Sequence, residues 1–456
     1  MKRSILPALP SEIPILEHAT TVWAQPGITS LGAAHELLDA LRSSDTLVMP
    51  SADGDVGYPL SAISHRRRGH GASVCANVIA ASPPHDDLLA HHRALGLGPG
   101  RIYCPAVASS STRLARLVLD DAPLLDRLRS DGALTRILVA FKDDDAARLA
   151  DRLRLTPTYC APDPAAYEAA NDKLEFWRAG TRHGFATPPV EVADDETQLD
   201  GAFRRLATVY GAGCVLRLRR GAGGHRVQHV RSSSAARRCW RALRRHGEVL
   251  IVPFVPSTHV LRNVSAHGVV TASGFVPLVF ADQLLRGFRF RGNVIGNDWS
   301  SAEVAAIGSA LTRIAGWLRS VGFVGGIAGV DGLLVRGSGG PEFLALDPNA
   351  RLTATIGPWA VVAALSERAG RAFVWQLESF RILGNALTVA RLRRRLGGDL
   401  LDAARLDAGG VLPSSIALLG LGGLGASWMT AVLLAHDQEH LEHLRRRTRA
   451  ALGGIG

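Results

Sequence analysis

Short apolar runs alternate with amphipathic segments along the first 165 residues. The apolar runs predict three strands, at residues 47–50 with their flanks, 101–107 and 136–141. Apolar residues at helical spacing predict helices at residues 85–98, 111–130 and 143–155. Alternating strands and helices are typical of a parallel sheet covered by helices. We therefore expect residues 1–165 to form a small α/β domain.

A second region begins after residues 156–166, where three prolines interrupt the pattern. One helix is predicted over residues 165–184, ending at Gly184, which suits a helix C-cap. The patterns that follow predict, in order, a helix at 235–246, strands between 249 and 280, and a helix at 302–321. Residues 327–351 predict a hairpin of two strands around a GSGG turn. We expect these elements to form a second α+β domain over residues 166–376.

The last region, residues 377–456, is expected to be an α+β segment that packs on the second domain. Its pattern is helical and basic at first, then apolar, and helical again from His436. Residues 414–435 carry no charge over 22 residues, a length that could span a bilayer. Because four glycines crowd the centre of this stretch, we expect two buried strands instead, at residues 416–421 and 428–435. A membrane span is the alternative.

Composition narrows the class of partner. The chain of 456 residues has a net charge of +11, carried by arginine, since only Lys2, Lys142 and Lys173 are lysines. A basic balance suits nucleic acids or small anions such as a nucleotide. The arginines are spread along the chain, so we expect a small anionic ligand and no nucleic acid. The five cysteines form no CxxC pair, so neither zinc nor a disulfide framework is expected, and a reducing cytoplasm is the default.

The hairpin at residues 327–351 carries the most informative polar side chains. Asp331 is the only acid among the apolar residues of its first strand, and the second strand carries Asp347, Asn349 and Arg351. Alternation along a strand puts these last three on one face, and the hairpin brings Asp331 towards them. Carboxylates and an amide oxygen suit Mg²⁺, and a guanidinium suits a phosphate. The alternative is a solvent-facing hairpin edge.

Two further motifs suit a polyphosphate. An apolar strand carries Arg217 and leads into a glycine-rich loop, made of Gly221, Ala222, Gly223, Gly224 and His225. Glycines let backbone N–H groups approach phosphates closely, although a hairpin turn would explain them equally well. Lys173 follows Asn171 and Asp172 at the start of a helical stretch, where a lysine offers a compact charge for a phosphate or occurs by chance.

A short connection between two strands could recognise a purine base. It consists of Val252, Pro253, Phe254 and Val255. Proline has no N–H, but the Pro253 carbonyl can accept a hydrogen bond from an amino group, and the Val255 N–H can donate one. We predict that this hinge contacts the base of a nucleotide.

In this order, the motifs resemble the ATP-grasp superfamily. That family has a lysine near an NDK helix, a basic residue before a glycine-rich loop, an adenine-contacting hinge, an acid on one strand and E-x-N-x-R on the next. The matching residues here are Lys173, Arg217, 221–225, 252–255, Asp331, Asp347, Asn349 and Arg351. Arg217 stands where the family usually has lysine, and Asp347 where it usually has glutamate. Four finer features are the N-terminal α/β region, the Asp282-Gln283 pair, Gly292-Asn293 after an arginine-rich loop, and the glycine-rich C-terminal strands. In these the chain is similar to the pheganomycin-type peptide ligases, which carry a pre-ATP-grasp domain.

This resemblance implies an ATP-dependent carboxylate–amine ligase of specialised metabolism that works through an acylphosphate. Its implied fold is a pre-ATP-grasp α/β domain followed by an ATP-grasp fold with two α+β subdomains around ATP. Lys173, Arg217, the loop and the hinge would bind ATP, and Asp331, Asp347 and Asn349 would bind one or two Mg²⁺. Arg217 and Arg351 would be catalytic.

The resemblance also implies partners and leaves alternatives open. The acid and amine substrates, amino acids or peptides, would contact Arg262, Asn263, Gln283, Arg291 and Asn293. Homodimers are common in this superfamily, so a homodimer is compatible with the sequence. One alternative is a ligase that loads an acyl group onto a carrier-protein thiol. The other is a nucleotide-binding protein that has lost catalysis.

Overall fold

The computed structural model describes residues 31–49, 74–80, 86–106, 113–140, 142–221, 224, 226–296, 298–382, 387–416 and 427–453. Several predicted positions lie outside these ranges, among them residues 50, 107 and 141 at the ends of predicted strands and Ala222, Gly223 and His225 of the glycine-rich loop.

The N-terminal region contains a parallel sheet of five short strands in the order β3-β2-β1-β4-β5. The strands are β1 (Thr46–Met49), β2 (Asn77–Ile79), β3 (Arg101–Tyr103), β4 (Arg136–Val139) and β5 (Thr156–Pro157). The helices are α1 (Leu31–Arg42), α2 (Asp86–Ala94), α3 (Leu114–Leu119), α4 (Ala122–Ser130) and α5 (Asp144–Leu153). The predicted α/β class and parallel sheet are confirmed, although β2 and β5 were not predicted.

Two predicted helices are each divided into two, and capping explains both breaks. The stretch 111–130 is interrupted because the Asp121 side chain accepts the Leu124 N–H and starts α4 anew, with Pro123 in its first turn. The stretch 165–184 divides into α6 (Pro164–Ala170) and α7 (Lys173–His183). There the Asp172 side chain accepts the N–H groups of Leu174 and Glu175. The predicted end at Gly184 is confirmed.

A four-stranded sheet follows, in the order β6-β9-β7-β8. Its strands are β6 (Glu191–Val192), β7 (Cys214–Leu218), β8 (Gln228–Val230) and β9 (Val249–Pro253). Helices α8 (Glu196–Tyr210) and α9 (Ser233–Leu243) pack against it through a shared cluster that includes Leu199, Leu216 and Trp240. This small sheet carries both Arg217 and the predicted hinge.

An antiparallel sheet of eight strands forms the largest layer, in the order β14-β13-β10-β11-β12-β15-β17-β16. Its strands are β10 (Val260–Val270), β11 (Phe275–Arg286), β12 (Arg289–Ile295), β13 (Ile327–Gly337), β14 (Gly340–Asn349), β15 (Val374–Ile382), β16 (Gly410–Ile416) and β17 (Ser427–Ala435). Helices α10 (Ser301–Ser320), α11 (Ile356–Ala369), α12 (Val389–Leu396) and α13 (Gln438–Ala451) pack on it. The predicted hairpin at 327–351 is confirmed as β13 and β14.

The start of the C-terminal region differs from the prediction. Residues 377–382, predicted to be helical, belong to strand β15, whose side chains from Trp375 to Leu377 are buried. The sheet thus runs without interruption through residue 376, and the division at that point stays a prediction. Strand 428–435 is confirmed within β17, whereas residues 417–421 of the other predicted strand lie outside the described part. No described helix is both long and apolar enough to cross a membrane.

The two faces of the large sheet have different neighbours. On one face Val264, Ala266 and Val330 pack with α7 and α10. On the other face Val269, Ile327 and Leu377 pack with α11 and with residues of the N-terminal sheet and α1. This second face also carries the polar hairpin residues.

Candidate functional site

Six positions on three neighbouring strands form a grid on one face of the large sheet. Ser265 of β10 stands opposite Asp331 of β13, which stands opposite Asp347 of β14. In the next row His267 stands opposite Gly329, and Gly329 opposite Asn349. Because side chains opposite each other share a face, both predicted carboxylates point to the same side. The hairpin therefore brings Asp331, Asp347 and Asn349 together, as the sequence predicted.

Lys173, Arg217 and Asp347 form a compact group that we call the cation pocket. The Lys173 Nζ lies 3.1 Å from one Asp347 oxygen, and an Arg217 nitrogen lies 2.8 Å from the other. The three side chains are largely buried, with 5%, 14% and 16% of their surface exposed, so solvent screens these pairs weakly. The Arg217 Nε is buried and has no hydrogen-bond partner among the described residues. That N–H is available to a ligand.

Local structure explains how a lysine comes to be buried there. Lys173 is the first residue of α7, and the cap residue Asp172 is itself held by Arg219, whose Nε lies 2.8 Å from both carboxylate oxygens. The Lys173 Nζ also donates a hydrogen bond to the Gly221 carbonyl, at 2.5 Å. The start of α7 thus aims the ammonium at the point where β7 passes into the glycine-rich loop.

Asn171 joins this helix start to the end of β14. Its side-chain oxygen accepts the Ala350 N–H at 3.0 Å and an Arg351 N–H at 3.1 Å. Its Nδ2 donates to the Tyr167 carbonyl at 2.8 Å. The Asn171–Asp172–Lys173 motif therefore has three separate tasks: Asn171 orients Arg351, Asp172 starts the helix, and Lys173 enters the cation pocket.

Asp331 lies in a different environment, which we call the polar chain and which comprises Asp331, Ser265, His267 and Thr353. One Asp331 oxygen accepts the Ser265 hydroxyl at 2.5 Å, and the Ser265 Oγ lies 2.9 Å from the His267 Nε2. The His267 Nδ1 lies 3.0 Å from the Thr353 hydroxyl. The other Asp331 oxygen accepts an N–H of Asn349 at 2.9 Å.

Sequence analysis missed Ser265 and His267. Both lie on a strand that was predicted, with the sequence VLRNVSAHGVV. Alternation along this strand puts Ser265 and His267 on one face and apolar residues on the other. Two polar residues at this spacing on a largely buried strand were the available indication. Their partners on β13 could not be identified without the register of the sheet.

The two carboxylates have opposite pKa shifts. Burial raises the pKa of Asp331 to about 6, and the neighbouring charge of Asp347 adds to this effect, while Ser265, Arg351 and Asn349 oppose it. Burial would also raise the pKa of Asp347, but the charges of Lys173 and Arg217 outweigh it and lower that pKa. Burial lowers the pKa of Lys173, with Asp347 opposing this effect. At neutral pH the pocket holds a salt-bridged Asp347, whereas Asp331 is an anion that accepts hydrogen bonds from neutral side chains.

The glycine-rich loop approaches the turn between β11 and β12. Gly224 has φ +72°, and a Cβ at this position would lie 1.7 Å from the Phe288 carbonyl oxygen. Only glycine fits so close an approach in that backbone conformation. With Gly221 touching Lys173 and Gly224 against residue 288, the loop lies beside the cation pocket. Ala222, Gly223 and His225, predicted to contact phosphates, lie outside the described residues.

The predicted hinge is at the end of β9. Pro253 stands opposite Cys214, three residues along β7 from Arg217, which is about 10 Å of strand. The Phe254 N–H donates to the Gly213 carbonyl at 2.9 Å, and the Phe254 ring stacks on His229 with centroids 3.9 Å apart. Val252 is buried against the large sheet's core, and Val255 is half-buried. His229 was not predicted, and it extends the aromatic surface next to the hinge.

The predicted substrate residues divide between the two faces of the large sheet. Arg262 lies on the face opposite to that of Ser265, where it pairs with Asp282 and with Glu303 of α10, both at 2.9 Å. Asn263, Gln283 and Asn293 follow the alternation of Ser265 and share its face.

Arg262 is therefore separated from the other substrate candidates and occupied by two carboxylates. Asn293 is fully buried; its Nδ2 donates to Thr355 at 2.5 Å, while its side-chain oxygen has no partner among the described residues. Arg291 is half-buried beside Arg286 and Arg289, and burial together with these charges lowers its pKa. The structure thus puts Asn263, Gln283 and Asn293 on the sheet face that bears the carboxylates, and Arg262 on the other face.

The donor set fits Mg²⁺ as a partly hydrated ion. Among the described residues, no group of three or more His, Cys, Asp or Glu side chains could hold a metal ion. Mg²⁺ commonly uses only one or two protein carboxylates, with waters and substrate phosphates as its other ligands. Asp331, buried and facing a second carboxylate, has the chemistry expected of such a ligand. With its Nδ2 on Asp331, Asn349 keeps its amide oxygen for a ligand.

A separate open cavity of about 570 Å³ lies against α6, α7 and α10. It is lined by residues such as Ala165, Asp172 and Trp317, and none of the predicted site residues is among those that line it. Its charged residues are already paired, as in Arg220 with Glu168 at 3.0 Å. This cavity is therefore separate from the predicted nucleotide site.

Comparison with known proteins identifies the fold. No protein-family model matches the sequence, and no curated protein matches it. Solved structures do match: N5-carboxyaminoimidazole ribonucleotide synthetase from Thermus thermophilus has a TM-score of 0.52 and 16% identity, over 90% of this chain and 99% of that one. L-amino acid ligase from Bacillus licheniformis has a TM-score of 0.52 and 11% identity, over 89% and 97%.

A third similar structure is the biotin carboxylase domain of Hydrogenobacter thermophilus 2-oxoglutarate carboxylase, solved with MgADP, ADP and bicarbonate. Its TM-score is 0.54 at 12% identity, over 90% of this chain and 89% of that one. At such identities the likeness concerns the fold. These neighbours are ATP-grasp enzymes, so the predicted ATP-grasp fold is confirmed for this chain.

Proposed function

From the ATP-grasp fold and the geometry of its polar face, we propose that this chain is an ATP-dependent carboxylate–amine ligase. It would form an amide or peptide bond through an acylphosphate, in specialised metabolism. The observation that carries the proposal is the convergence of six side chains from four separate segments, namely Lys173, Arg217, Asp331, Asp347, Asn349 and Arg351.

Lys173 and Arg217 would bind the phosphates of ATP. Both side chains are buried, and both form an ion pair with the same partner, Asp347. A phosphate oxygen would accept the unpartnered Arg217 Nε–H, since a buried N–H without an acceptor is costly. The hinge from Val252 to Val255, about 10 Å along the strands from Arg217, would receive the adenine beside Phe254 and His229.

Asp331 and Asn349, with Asp347, would hold one or two Mg²⁺ ions. When bound, the ion neutralises phosphate charge and aligns the reacting groups. The protein's own part is to keep Asp331 ionised by two hydrogen bonds, from Ser265 and Asn349, despite its burial. Asn171 holds Arg351 at the end of β14, where its guanidinium would stabilise charge that develops on the transferred phosphoryl group.

The reaction needs no nucleophile from the protein. A carboxylate oxygen of the acid substrate attacks the γ-phosphorus, the bond to the bridging oxygen breaks, and ADP leaves. The amine then attacks the acyl carbon, phosphate leaves with the carbon–oxygen bonding pair, and the amine loses a proton. The loop at Gly221 and Gly224 would cover the phosphates and exclude water from the acylphosphate. Asn263, Gln283 and Asn293 would contact the acid or amine substrate.

A phosphate-release screen tests this proposal. Purified protein is incubated with ATP, Mg²⁺ and pairs of amino acids or short peptides, and products are identified by mass spectrometry. We expect ADP, phosphate and an amide in equal amounts for at least one pair. Lys173→Ala should weaken ATP binding at least about tenfold because a buried phosphate contact is lost. Unchanged ATP affinity in this variant would remove Lys173 from the site.

One observation favours a second candidate, a nucleotide-binding protein without catalysis. Asp347 forms ion pairs with Lys173 at 3.1 Å and Arg217 at 2.8 Å, so it is less free to bind a metal than a carboxylate without such partners. ATP binding without ADP release for any acid–amine pair would support this candidate. Product only in the presence of a carrier-protein thiol would indicate the acyl-loading reaction instead.

We propose a cytoplasmic location, because the spacing of the five cysteines suggests no disulfide framework. The homodimer stays a prediction, which sedimentation at several protein concentrations would test.

A further inference from the structure

His267 is a buried titratable residue to which the proposed reaction assigns no task. Only 2% of its surface is exposed. It lies on β10 two residues from Ser265, and both of its ring nitrogens have partners, Ser265 on one side and Thr353 on the other. Any effect of this histidine on the site must pass through those two hydroxyl groups.

The hydrogen bonds of the polar chain run in one direction when Asp331 is ionised. A carboxylate only accepts, so the Ser265 hydroxyl must donate its single proton to Asp331. The Ser265 oxygen is then free to accept, and the His267 Nε2 must carry the proton that it donates. The neutral ring has no proton on Nδ1, which therefore accepts the Thr353 hydroxyl proton. Each donor in the chain thus has one acceptor.

The backbone makes room for this arrangement. Gly329 stands opposite His267, and a Cβ at residue 329 would lie 2.7 Å from the His267 Nδ1 and 3.0 Å from a Thr353 methyl carbon. Since real Cβ atoms are not found this close to a ring nitrogen, alanine would push the two partners apart. Glycine at residue 329 and histidine at residue 267 therefore form one structural unit.

Thr353 belongs to a segment, residues 351–355, that is held at three points. Arg351 donates to Asn171, Thr353 to His267, and Thr355 accepts from Asn293. The segment follows β14 and precedes α11, and it carries the arginine proposed to act on the phosphoryl group. The contact between Thr353 and His267 is the middle one of the three. It connects the segment, through Ser265, to Asp331, a predicted metal ligand.

We propose that His267 is a positioning residue for magnesium. Through Ser265 it fixes which Asp331 oxygen is occupied by a hydrogen bond and which lone pairs are left for the ion, and through Thr353 it ties that carboxylate to the segment that carries Arg351. This inference rests on the proposed function, because it assumes that Asp331 binds the ion that accompanies ATP. Removing a partner that orients a metal ligand typically changes metal affinity by about 10- to 100-fold.

The test is a calorimetric titration of ADP at a series of Mg²⁺ concentrations, which gives the apparent Mg²⁺ affinity without turnover. His267→Leu should weaken Mg²⁺ binding about tenfold and leave ADP affinity without Mg²⁺ unchanged. His267→Gln, whose amide nitrogen can donate to Ser265, should stay within about threefold of wild type. Ser265→Ala should match His267→Leu, and the double variant should be no weaker than either single variant, because both remove one interaction.

His92→Leu is the matched control. His92 is another buried histidine, with its Nε2 on the Pro413 carbonyl at 2.8 Å, far from the grid in sequence and on helix α2. It should lower the unfolding midpoint and leave Mg²⁺ affinity unchanged. If His267→Leu fails to fold, Ser265→Ala and Gly329→Ala give the same test.

Equal Mg²⁺ affinity in wild type, His267→Leu and Ser265→Ala would overturn the inference while leaving the proposed function intact. Equal losses in His267→Leu and His267→Gln would also overturn it, since packing alone would then explain the effect. Absence of Mg²⁺-dependent ADP binding in wild type would overturn both proposals together.

Discussion

The cation pocket around Asp347 and the polar chain around Asp331 differ although their carboxylates face each other on adjacent strands. Asp347 is paired with two cations from outside the large sheet, whereas the hydrogen bonds to Asp331 come from neutral donors, Ser265 and Asn349. The pKa shifts are opposite as a result, lowered for Asp347 and raised for Asp331. We infer that Asp347 first serves as counter-ion to Lys173 and Arg217, while Asp331 is the carboxylate that a bound cation would stabilise most.

The contrast between the two carboxylates also concerns the two positions that depart from the family pattern, Arg217 in place of lysine and Asp347 in place of glutamate. Arg217 has a planar fork that places one nitrogen on Asp347 and leaves the Nε–H free, which a lysine could not do. The shorter side chain of Asp347 ends between Lys173 and Arg217. The two substitutions are therefore neighbours in space, and the arginine contacts the shortened acid directly.

The largest effect is expected from Asp347→Ala. It would leave Lys173 and Arg217 buried without a counter-ion, which costs about 3–5 kcal/mol of unfolding free energy. ADP release should also fall about 10³-fold, because several kcal/mol of charge stabilisation would be lost. Urea unfolding and a coupled ADP assay measure both effects.

Glu196→Ala is the control for that experiment. Glu196 pairs with Arg241 on the surface, at 2.6 Å, where solvent screens the pair, so its loss should change the unfolding free energy little. If the two variants lose the same unfolding free energy, the ion pairs of the cation pocket contribute no more to stability than a surface ion pair, and this prediction is wrong.

A smaller effect of opposite sign is expected from Asp331→Asn without metal. Between about pH 4 and pH 6 the folded protein keeps a proton on Asp331 that the unfolded chain, with its usual pKa of 3.8, has released. The unfolding free energy therefore falls as the pH rises through this interval and stays low above about pH 6. Asparagine carries no such charge, so the variant should be more stable by about 3 kcal/mol at pH 7.5 and little changed at pH 4.

Urea unfolding at both pH values checks this prediction, and the same variant should lose Mg²⁺-dependent turnover. Asp347→Asn under identical conditions should be less stable than wild type at pH 7.5, since it removes a paired anion. If both variants shift stability in the same direction, the contrast between the two carboxylates does not exist.

The smallest effect is expected from Gly224→Ala. The added Cβ would displace the loop from the Phe288 carbonyl, so water would reach the acylphosphate more easily. We expect several-fold more ADP per molecule of amide product, with stability reduced by about 1–2 kcal/mol through the positive φ. Gly211→Ala shares the positive φ, at +65°, but meets no atom within 4 Å. A similar ratio of ADP to product in both variants would show that the loop does not cover the phosphates.

Patterns that act locally allowed the sequence to predict much of this molecule. The hairpin of β13 and β14, the Gly184 helix end and the α/β character of the N-terminal region depend on neighbours in the chain, and all three are confirmed. The missed breaks before α4 and α7 also had local causes, since Asp121 and Asp172 are good N-cap residues.

Contacts between distant segments were beyond that reasoning. Nothing local to Asp347 indicates that Lys173 and Arg217, 174 and 130 positions away, would engage its two oxygens; the motif resemblance supplied the grouping but not the pairing. The separation of Arg262 from the other substrate candidates, by contrast, could have been predicted from the sequence. Alternation puts Arg262 and Asn263 on different faces, so the sequence itself contained a reason not to assign both to one substrate site.

The shared core beneath α11 has a consequence for how the protein can be prepared. Leu37 and Leu38 of α1 and Val78 of β2 pack with Val361 and Leu365, on the sheet face that also bears the carboxylates. A protein truncated to start at residue 166 would expose this apolar surface to solvent and would be prone to aggregate. Experiments on this protein therefore require the N-terminal sheet to be kept attached.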